Sequence, residues 1–430
     1  MTKQAGEAHD RWSWVEPCVW TERMLAALDK GVKGGKWFSL LDKVYSEKNL
    51  MSAYTRVKAN NGGAGVDHQS VDEFGKHLDV NLQELHLKLK EDRYYPQAIR
   101  RVWIPKPGSK EKRPLGIPTV KDRVVQTALR SVLEPIFERD FSERSFGFRP
   151  GRGCKDALRC VWYLLQKGYT YVVDADLKSY FDTIPHANLL ELIKQKISDG
   201  NVIRLLESYL KQRVLDEMSD WSPEDGTPQG AVISPLLANI YLDPLDHLME
   251  ETGIEMVRYA DDLVLLCSSQ EESETALQML QEWTTKVGLT LHPTKTRIVN
   301  ALDEPFEFLG YRFERGKYLN VRSKSLKKFK DTIRSKTKRT NGKSLLATIQ
   351  DVNKSLKGWF GYFKHCHGHI FTRLDGWIRM RLRSILRKQN KRHGIGHGLD
   401  HIRWPNAYFE ERGLFSLQAA CEKYRQSCYR

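Results

Sequence analysis

Cysteine is scarce and scattered. The 430 residues hold seven, an odd number with no Cys-x-x-Cys pair. That excludes a disulfide framework and fits a reducing compartment. No apolar run approaches the ~20 residues that a membrane span needs. The first residues, Met1-Thr2-Lys3-Gln4-Ala5-Gly6-Glu7, lack the apolar stretch of a secretory signal. A cytoplasmic protein is therefore expected, neither secreted nor embedded in a membrane. No internal repeat or low-complexity tract is present. What remains is globular in composition, with 40% apolar and 29% charged residues. The length points to two or three domains.

Acid is also missing from one end. Residues 311–430 hold 29 basic and 8 acidic side chains, a net of +21. The first 310 residues hold 40 basic and 46 acidic, a net of −6. The whole positive excess of the chain, +15, thus sits in its last part, as expected of a carboxyl-terminal domain that binds a polyanion. A disordered basic tail is the competing reading. It is disfavoured because large apolar residues recur there at helical spacing: Leu345, Ile349, Val352, Leu356, Trp359 and Phe363, then Ile370, Leu374, Trp377, Ile378, Leu382 and Ile385.

Earlier in the chain, Trp37, Leu40, Leu41 and Val44 make a short helical stripe, and Asn60-Asn61-Gly62-Gly63-Ala64-Gly65 reads as a loop. Residues 99–104 read as a strand, followed by a Pro/Gly/Lys turn and 115–118, a hairpin with a basic tip. Residues 120–137 and 270–287 carry helical periodicity. Pro185 and Ser234-Pro235 each open a helix. Residues 169–176 form a β-branched and aromatic strand ending in acids. Residues 257–267 are apolar on both sides of Asp261-Asp262, as in a hairpin with two acids at its tip.

Those acids are the residues most able to carry chemistry. Carboxylates at the ends of apolar strands are costly unless paired or bound to cations. A divalent cation relieves both the burial and the mutual repulsion of Asp261 and Asp262, and hard oxygen ligands suit Mg²⁺. Two such ions are the device of in-line phosphoryl transfer. An isolated Asp-Asp is more often ordinary turn chemistry. The apolar flanks and the acidic strand end at Asp174 and Asp176 make the metal reading competitive.

Tyr259-Ala260-Asp261-Asp262 resembles the catalytic box of reverse transcriptases, and the companion boxes occur in order. These are residues 145–152 (Ser145-Phe146-Gly147-Phe148-Arg149-Pro150-Gly151-Arg152), 176–182 (Asp176-Leu177-Lys178-Ser179-Tyr180-Phe181-Asp182), 227–236 from Thr227-Pro228-Gln229-Gly230, 288–296, and Phe308-Leu309-Gly310-Tyr311. Their wording is similar to group II intron reverse transcriptase/maturases of the bacterial type. The resemblance implies an α+β right-hand polymerase with fingers, palm and a helical basic thumb. It divides the chain into an amino-terminal extension of the fingers (1–70), fingers and palm (71–319) and thumb/maturase domain (320–430). Many members end in a zinc-containing His-Asn-His endonuclease domain; the chain stops without one, so target-site nicking is not expected of it.

The resemblance also implies roles. Asp176, Asp261 and Asp262 match the metal-binding catalytic triad; Asp174 is a decoy, because Asp176 precedes Phe181 by five residues. Phe181 matches the gate against ribonucleotides, with Tyr180 the alternative. Gln229 and Tyr259 match residues lying against the incoming nucleotide. Lys106 and Arg113 match fingers residues that grip triphosphate through charge-assisted bonds, with Lys110 or Lys112 able to replace either. Lys295 matches a lysine that protonates the leaving pyrophosphate; a solvated surface lysine is the competing reading. The cluster His365-Cys366-His367-Gly368-His369 lacks a second ligand pair, so no zinc is expected; His393, His397 and His401 could complete a site, but the glycines between them predict a loop.

The implied activity is RNA-directed DNA synthesis with two Mg²⁺ ions, for which Mn²⁺ can substitute. The implied partners are an RNA template, a DNA primer, deoxynucleoside triphosphates and group II intron RNA, whose splicing and retrohoming the chain would aid in a bacterial cytoplasm, at the nucleoid when acting on DNA. Two alternatives stand beside it: a free-standing enzyme serving host repair or defence, and a splicing cofactor with a vestigial palm.

Overall fold

A computed structural model of the chain describes residues 11–428, apart from 33, 106–111, 217–218, 341, 393 and 395–397. Lys106, Lys110, His393 and His397 lie outside the described residues. The chain divides into two compact units, Met1–Ile298 and Val299–Arg430. The strands are β1 (Ile99–Pro105), β2 (Lys112–Ile117), β3 (Tyr171–Asp176), β4 (Val214–Asp216), β5 (Ser219–Trp221), β6 (Glu255–Tyr259), β7 (Asp262–Cys267), β8 (Arg297–Asn300), β9 (Phe306–Phe308), β10 (Tyr311–Glu314) and β11 (Tyr318–Val321). No helix among the described residues is long and apolar enough to cross a membrane.

Among the described residues the first unit holds two sheets, one ordered β2-β1-β4-β5 and one containing β6-β7-β3 in that order. The expected hairpin is β1 and β2, in register from Arg100↔Ile117 to Pro105↔Lys112. In the other sheet β3 runs antiparallel to β7, with Val173↔Leu265, Ala175↔Leu263 and Asp176↔Asp262 opposed. Every residue from Leu263 to Cys267 is buried, because the helices Gln270–Lys286 and Cys154–Gln166 both pack on this strand. The helix Ser234–Glu251 packs on β6 and buries Leu236, Leu237, Ile240, Tyr241 and Leu245. Behind them the helix Val120–Glu138 is buried on most of its faces. Thr119 caps it, accepting from the Asp122 amide at 3.1 Å.

The helical stripe through Trp37 is corrected. Only Leu41–Val44 is helical there. Trp37 is extended, bridging Ile197 and donating its amide to the Lys196 carbonyl at 2.8 Å. Gly34, Gly35 and Ser39 adopt positive φ values of 79°, 71° and 48°, which a helix cannot accommodate.

The second unit combines the antiparallel sheet β11-β10-β9 with the helices Ser323–Lys336, Leu345–Phe363, His369–Gln389 and Leu417–Cys428. Ile349, Val352, Leu356 and Phe363 are buried as expected, as are Leu374, Ile378, Leu382 and Ile385. Ile370 and Trp377 are only half-buried. Phe360 and Phe371 are buried in the core of this unit, their rings edge to face at 5.4 Å. Phe371 lies three residues before Leu374 and so shares its face. Buried Asp375 caps the last helix from outside, accepting from the amides of Leu417 and Gln418, both at 3.0 Å.

Candidate active site

The acidic turn forms where β6 reverses into β7. Tyr259 and Asp262 are the last paired residues, so Ala260 and Asp261 make a two-residue turn. A tight hairpin turn demands positive φ at its first central position. Ala260 supplies it, at φ 58°, without being glycine. Asp262 then starts β7 directly opposite Asp176, the last residue of β3, and side chains opposed across antiparallel strands share a face. Asp261 adjoins them. Asp174 sits two residues back along β3, opposite Val264, so the register separates it from Asp262.

The charges act on one another. Burial pushes the Asp261 carboxyl above its usual range, and the negative charge of Asp176 adds to the rise; a backbone hydrogen bond, Arg113 and Lys295 pull the other way. Lys295 donates to Asp176 Oδ2. It is carried there by the preceding segment, in which the His292 amide donates to the Asp176 carbonyl at 2.7 Å and the Lys178 amide to the Thr290 carbonyl at 2.8 Å.

An aromatic wall stands beside the acids. Phe148, in a left-handed conformation at φ 59°, meets both Phe181 and Tyr259 at 6.4 Å between ring centres. Phe181 is half-buried, whereas Tyr180 is buried and donates its hydroxyl to the Ala238 carbonyl at 2.6 Å. Gln229 Nε2 donates to Asp182 Oδ2 at 2.9 Å, and its carbonyl accepts from the Gly116 amide of β2 at 2.6 Å. This contact ties the β1–β2 hairpin to the Gln229 loop. A cavity of about 540 Å³ opens beside it, lined in part by Arg101, Gly116, Asp182, Trp221 and Gln229.

Two stretches of this sequence match family models. Residues 104–313 match the reverse transcriptase (RNA-dependent DNA polymerase) model, and residues 326–404 match the group II intron maturase-specific domain. Protein YkfC of Escherichia coli is 32% identical over 359 residues, covering 73% of this chain and 92% of YkfC. The chain belongs to the group II intron reverse transcriptase/maturase family. The group II intron-encoded protein LtrA of Lactococcus lactis is 37% identical over 214 residues. That match spans 49% of this chain but only 35% of LtrA. Among solved structures, a partial Cas6-RT-Cas1–Cas2 complex is 25% identical at a TM-score of 0.38, over 58% of this chain and 42% of that one.

In this reverse transcriptase/maturase the motif reading passed over the residues that support the acidic turn. Arg258 is buried, with Nε on Asp246 Oδ1 at 2.7 Å and Nη2 on Asp246 Oδ2. Its Nη1 donates to Asn239 Oδ1 at 3.0 Å and to the Ala260 carbonyl at 3.1 Å. Asn239 Nδ2 in turn donates to the Gly147 carbonyl at 2.8 Å. Gly147 approaches the turn so closely that a Cβ there would lie 2.1 Å from the Ala260 nitrogen. The available signal was an arginine directly after the apolar pair Met256-Val257, a residue type that is buried only with partners.

The family implies divalent metal ions, and the donor set fits them: hard carboxylate oxygens, crowded enough that Asp176 disfavours ionisation of Asp261. Among the described residues no three His, Cys, Asp or Glu side chains are drawn together around a single point. Two acids face each other, the third adjoins them, and Lys295 rests on Asp176. In the second unit, Cys366 is buried and His365 Nδ1 pairs with the Tyr424 hydroxyl at 3.1 Å.

Proposed function

We propose that the chain is an RNA-directed DNA polymerase that extends a DNA primer on an RNA template. The primer 3′-oxygen bonds to the α-phosphorus of a deoxynucleoside triphosphate as the bond to pyrophosphate breaks. The observation that carries this reading is the β3–β7 register, which opposes Asp176 to Asp262 with Asp261 adjoining. Asp176, Asp261 and Asp262 would hold two divalent ions, Mg²⁺ by the preference of hard oxygen ligands, and these when bound activate the 3′-hydroxyl and spread the charge of the leaving group.

The chain's own residues do the rest. Phe181 packs against the sugar and excludes a 2′-hydroxyl. Gln229, oriented by Asp182, and Tyr259 lie against the nucleotide. Arg113, together with Lys106 outside the described residues, neutralises triphosphate. Lys295, at Asp176, gives a proton to departing pyrophosphate. In domain terms, residues 1–70 extend the fingers, 71–319 form fingers and palm, and 320–430 form the thumb. The net +21 of residues 311–430 and the maturase-specific match support binding of group II intron RNA by this last part, in aid of splicing and retrohoming.

The test is primer extension on an RNA template alongside an RNA-binding titration, with wild type, Asp261→Asn and Asp262→Asn. Both variants are expected to lose synthesis by orders of magnitude and to bind RNA normally. Near-normal extension by both removes the triad assignment. An increase in spliced product when the chain is added to a group II intron RNA at low Mg²⁺ tests the maturase reading separately.

A further inference from the structure

The acidic turn is held in a conformation that its own residues disfavour. Ala260 is left-handed, at φ 58°, where a Cβ is strained. A left-handed residue persists only where the surroundings over-determine it. Three contacts do so here. Gly147 presses its backbone against Ala260. The strand before the turn is bridged on its outer edge, the Arg258 amide donating to the Arg144 carbonyl at 3.0 Å and its carbonyl accepting from the Phe146 amide at 2.9 Å. From below, Arg258 Nη1 reaches the Ala260 carbonyl.

That guanidinium has no slack. Its side chain is 1% exposed and that of Asp246 is 2% exposed. Both of its outer arms and its Nε are committed to the helix Ser234–Glu251, through Asp246 and Asn239. A planar fork fixed at one side carries its remaining N–H to a fixed point. The point is the carbonyl of the residue immediately before Asp261.

We infer that Arg258 and Asp246 are a positioning pair, which sets the Ala260 turn and thereby aims the Asp261 carboxylate at a divalent cation. The inference rests on the polymerase reading, since it supposes that Asp261 binds metal. It adds residues that touch neither metal nor nucleotide and act through the turn. Groups that orient metal ligands in this way typically govern metal affinity by about 10- to 100-fold.

The experiment measures Mn²⁺ binding to the full-length chain by electron paramagnetic resonance, without nucleic acid or turnover. Thermal melting and RNA affinity are recorded on the same preparations. Arg258→Lys keeps the charge opposite Asp246, but a single ammonium cannot also span to Asn239 and Ala260. It is expected to weaken Mn²⁺ binding about tenfold or more while RNA affinity holds. Leu242→Ala, buried on the same helix but outside the network, is the control for general softening: it should melt lower and bind Mn²⁺ as wild type does. If Arg258→Lys does not fold, Asp246→Asn, which keeps the shape and removes the charge, is read in its place. Unchanged Mn²⁺ affinity in the variant overturns the inference, and so does an equal loss in Leu242→Ala. Asp261→Asn separates the two levels of the argument. If wild type shows no Mn²⁺ site that this substitution weakens, the metal reading fails and takes the inference with it.

Discussion

The ammonium of Lys295 donates to Asp176 Oδ2, joining positions 119 residues apart. No motif spacing contains that contact. It arises because the segment before Lys295 zips onto the end of β3 through the His292 amide. A lysine there is within reach of chemistry at the proposed metal-binding acids. Lys295→Ala is expected to slow single-turnover extension by about 10²-fold, the lower end of what a positioned proton donor contributes, with RNA affinity intact. Unchanged single-turnover rates would make Lys295 a surface partner of Asp176 and nothing more.

The Asp261 carboxyl is raised by burial and by the charge of Asp176. A carboxyl whose folded pKa lies above its unfolded value binds more protons in the native state, so stability falls as pH rises through the window between the two. The cost grows as pH rises above the ordinary aspartate value and is fully present above the folded one. Asp261→Asn is therefore expected to melt above wild type at neutral pH. The gain should shrink as pH falls toward about 4, the ordinary aspartate value. Melting curves across that range check it, and a neutral-pH melting point below wild type contradicts it.

Phe181→Val is expected to relax sugar selection. The ring is half-buried and braced edge to face by Phe148, so its position is defined, whereas Tyr180 is committed to the Ala238 carbonyl. Apolar pockets reject an added hydroxyl by only about 10²-fold, and the variant should lose at least that factor. The ratio of kcat/KM for each deoxynucleotide to its ribonucleotide measures it. An unchanged ratio with synthesis intact assigns Phe181 to the core.

Gly147→Ala places a methyl group 2.1 Å from the Ala260 nitrogen. Backbone cannot yield as a flexible side chain does, so the substitution should cost about 1–3 kcal/mol and depress extension by moving the acidic turn. Chemical denaturation and primer extension on one preparation report the two effects. A variant with wild-type stability and synthesis would show that the turn shifts without penalty.

RNA affinity should fall steeply with salt and rest on the second unit. Lys324 and Lys328 are exposed one turn apart on the helix Ser323–Lys336. The paired change Lys324→Gln and Lys328→Gln is expected to flatten the slope of log affinity against log salt by about one to two units, because each lysine that neutralises a phosphate accounts for roughly one. Truncation near Tyr311 would be a poor test, because Tyr311 pairs with both β9 and β11 inside one sheet. An unchanged slope moves the grip to another face.

Much of this protein is written locally. β-branched and aromatic residues predict β3, turn chemistry and apolar flanks predict the β6–β7 hairpin, and helical spacing predicts the buried stripes at Ile349–Leu356 and Leu374–Ile385. Even the charge division between the units is readable, since composition needs no folding to be counted. The positions of Asp176, Asp261 and Asp262 were legible because they sit at strand ends and in a turn, places that periodicity locates to within a residue or two.

Register and long-range polar pairing were not legible, because they depend on which strands meet. Opposing Asp262 to Asp176 rather than to Asp174 is decided by two-residue steps along β7. The extended backbone at Trp37 is decided by a bridge to Ile197. The choice of Arg258 as the support of the acidic turn is decided by a helix that brings Asp246 and Asn239 beneath it. By itself the sequence determined which residues could ionise, alternate or cap, through local stereochemistry and charge. Tertiary structure alone decided which of them share a desolvated space, because burial and Coulomb interactions act through distance in the folded chain and not along it.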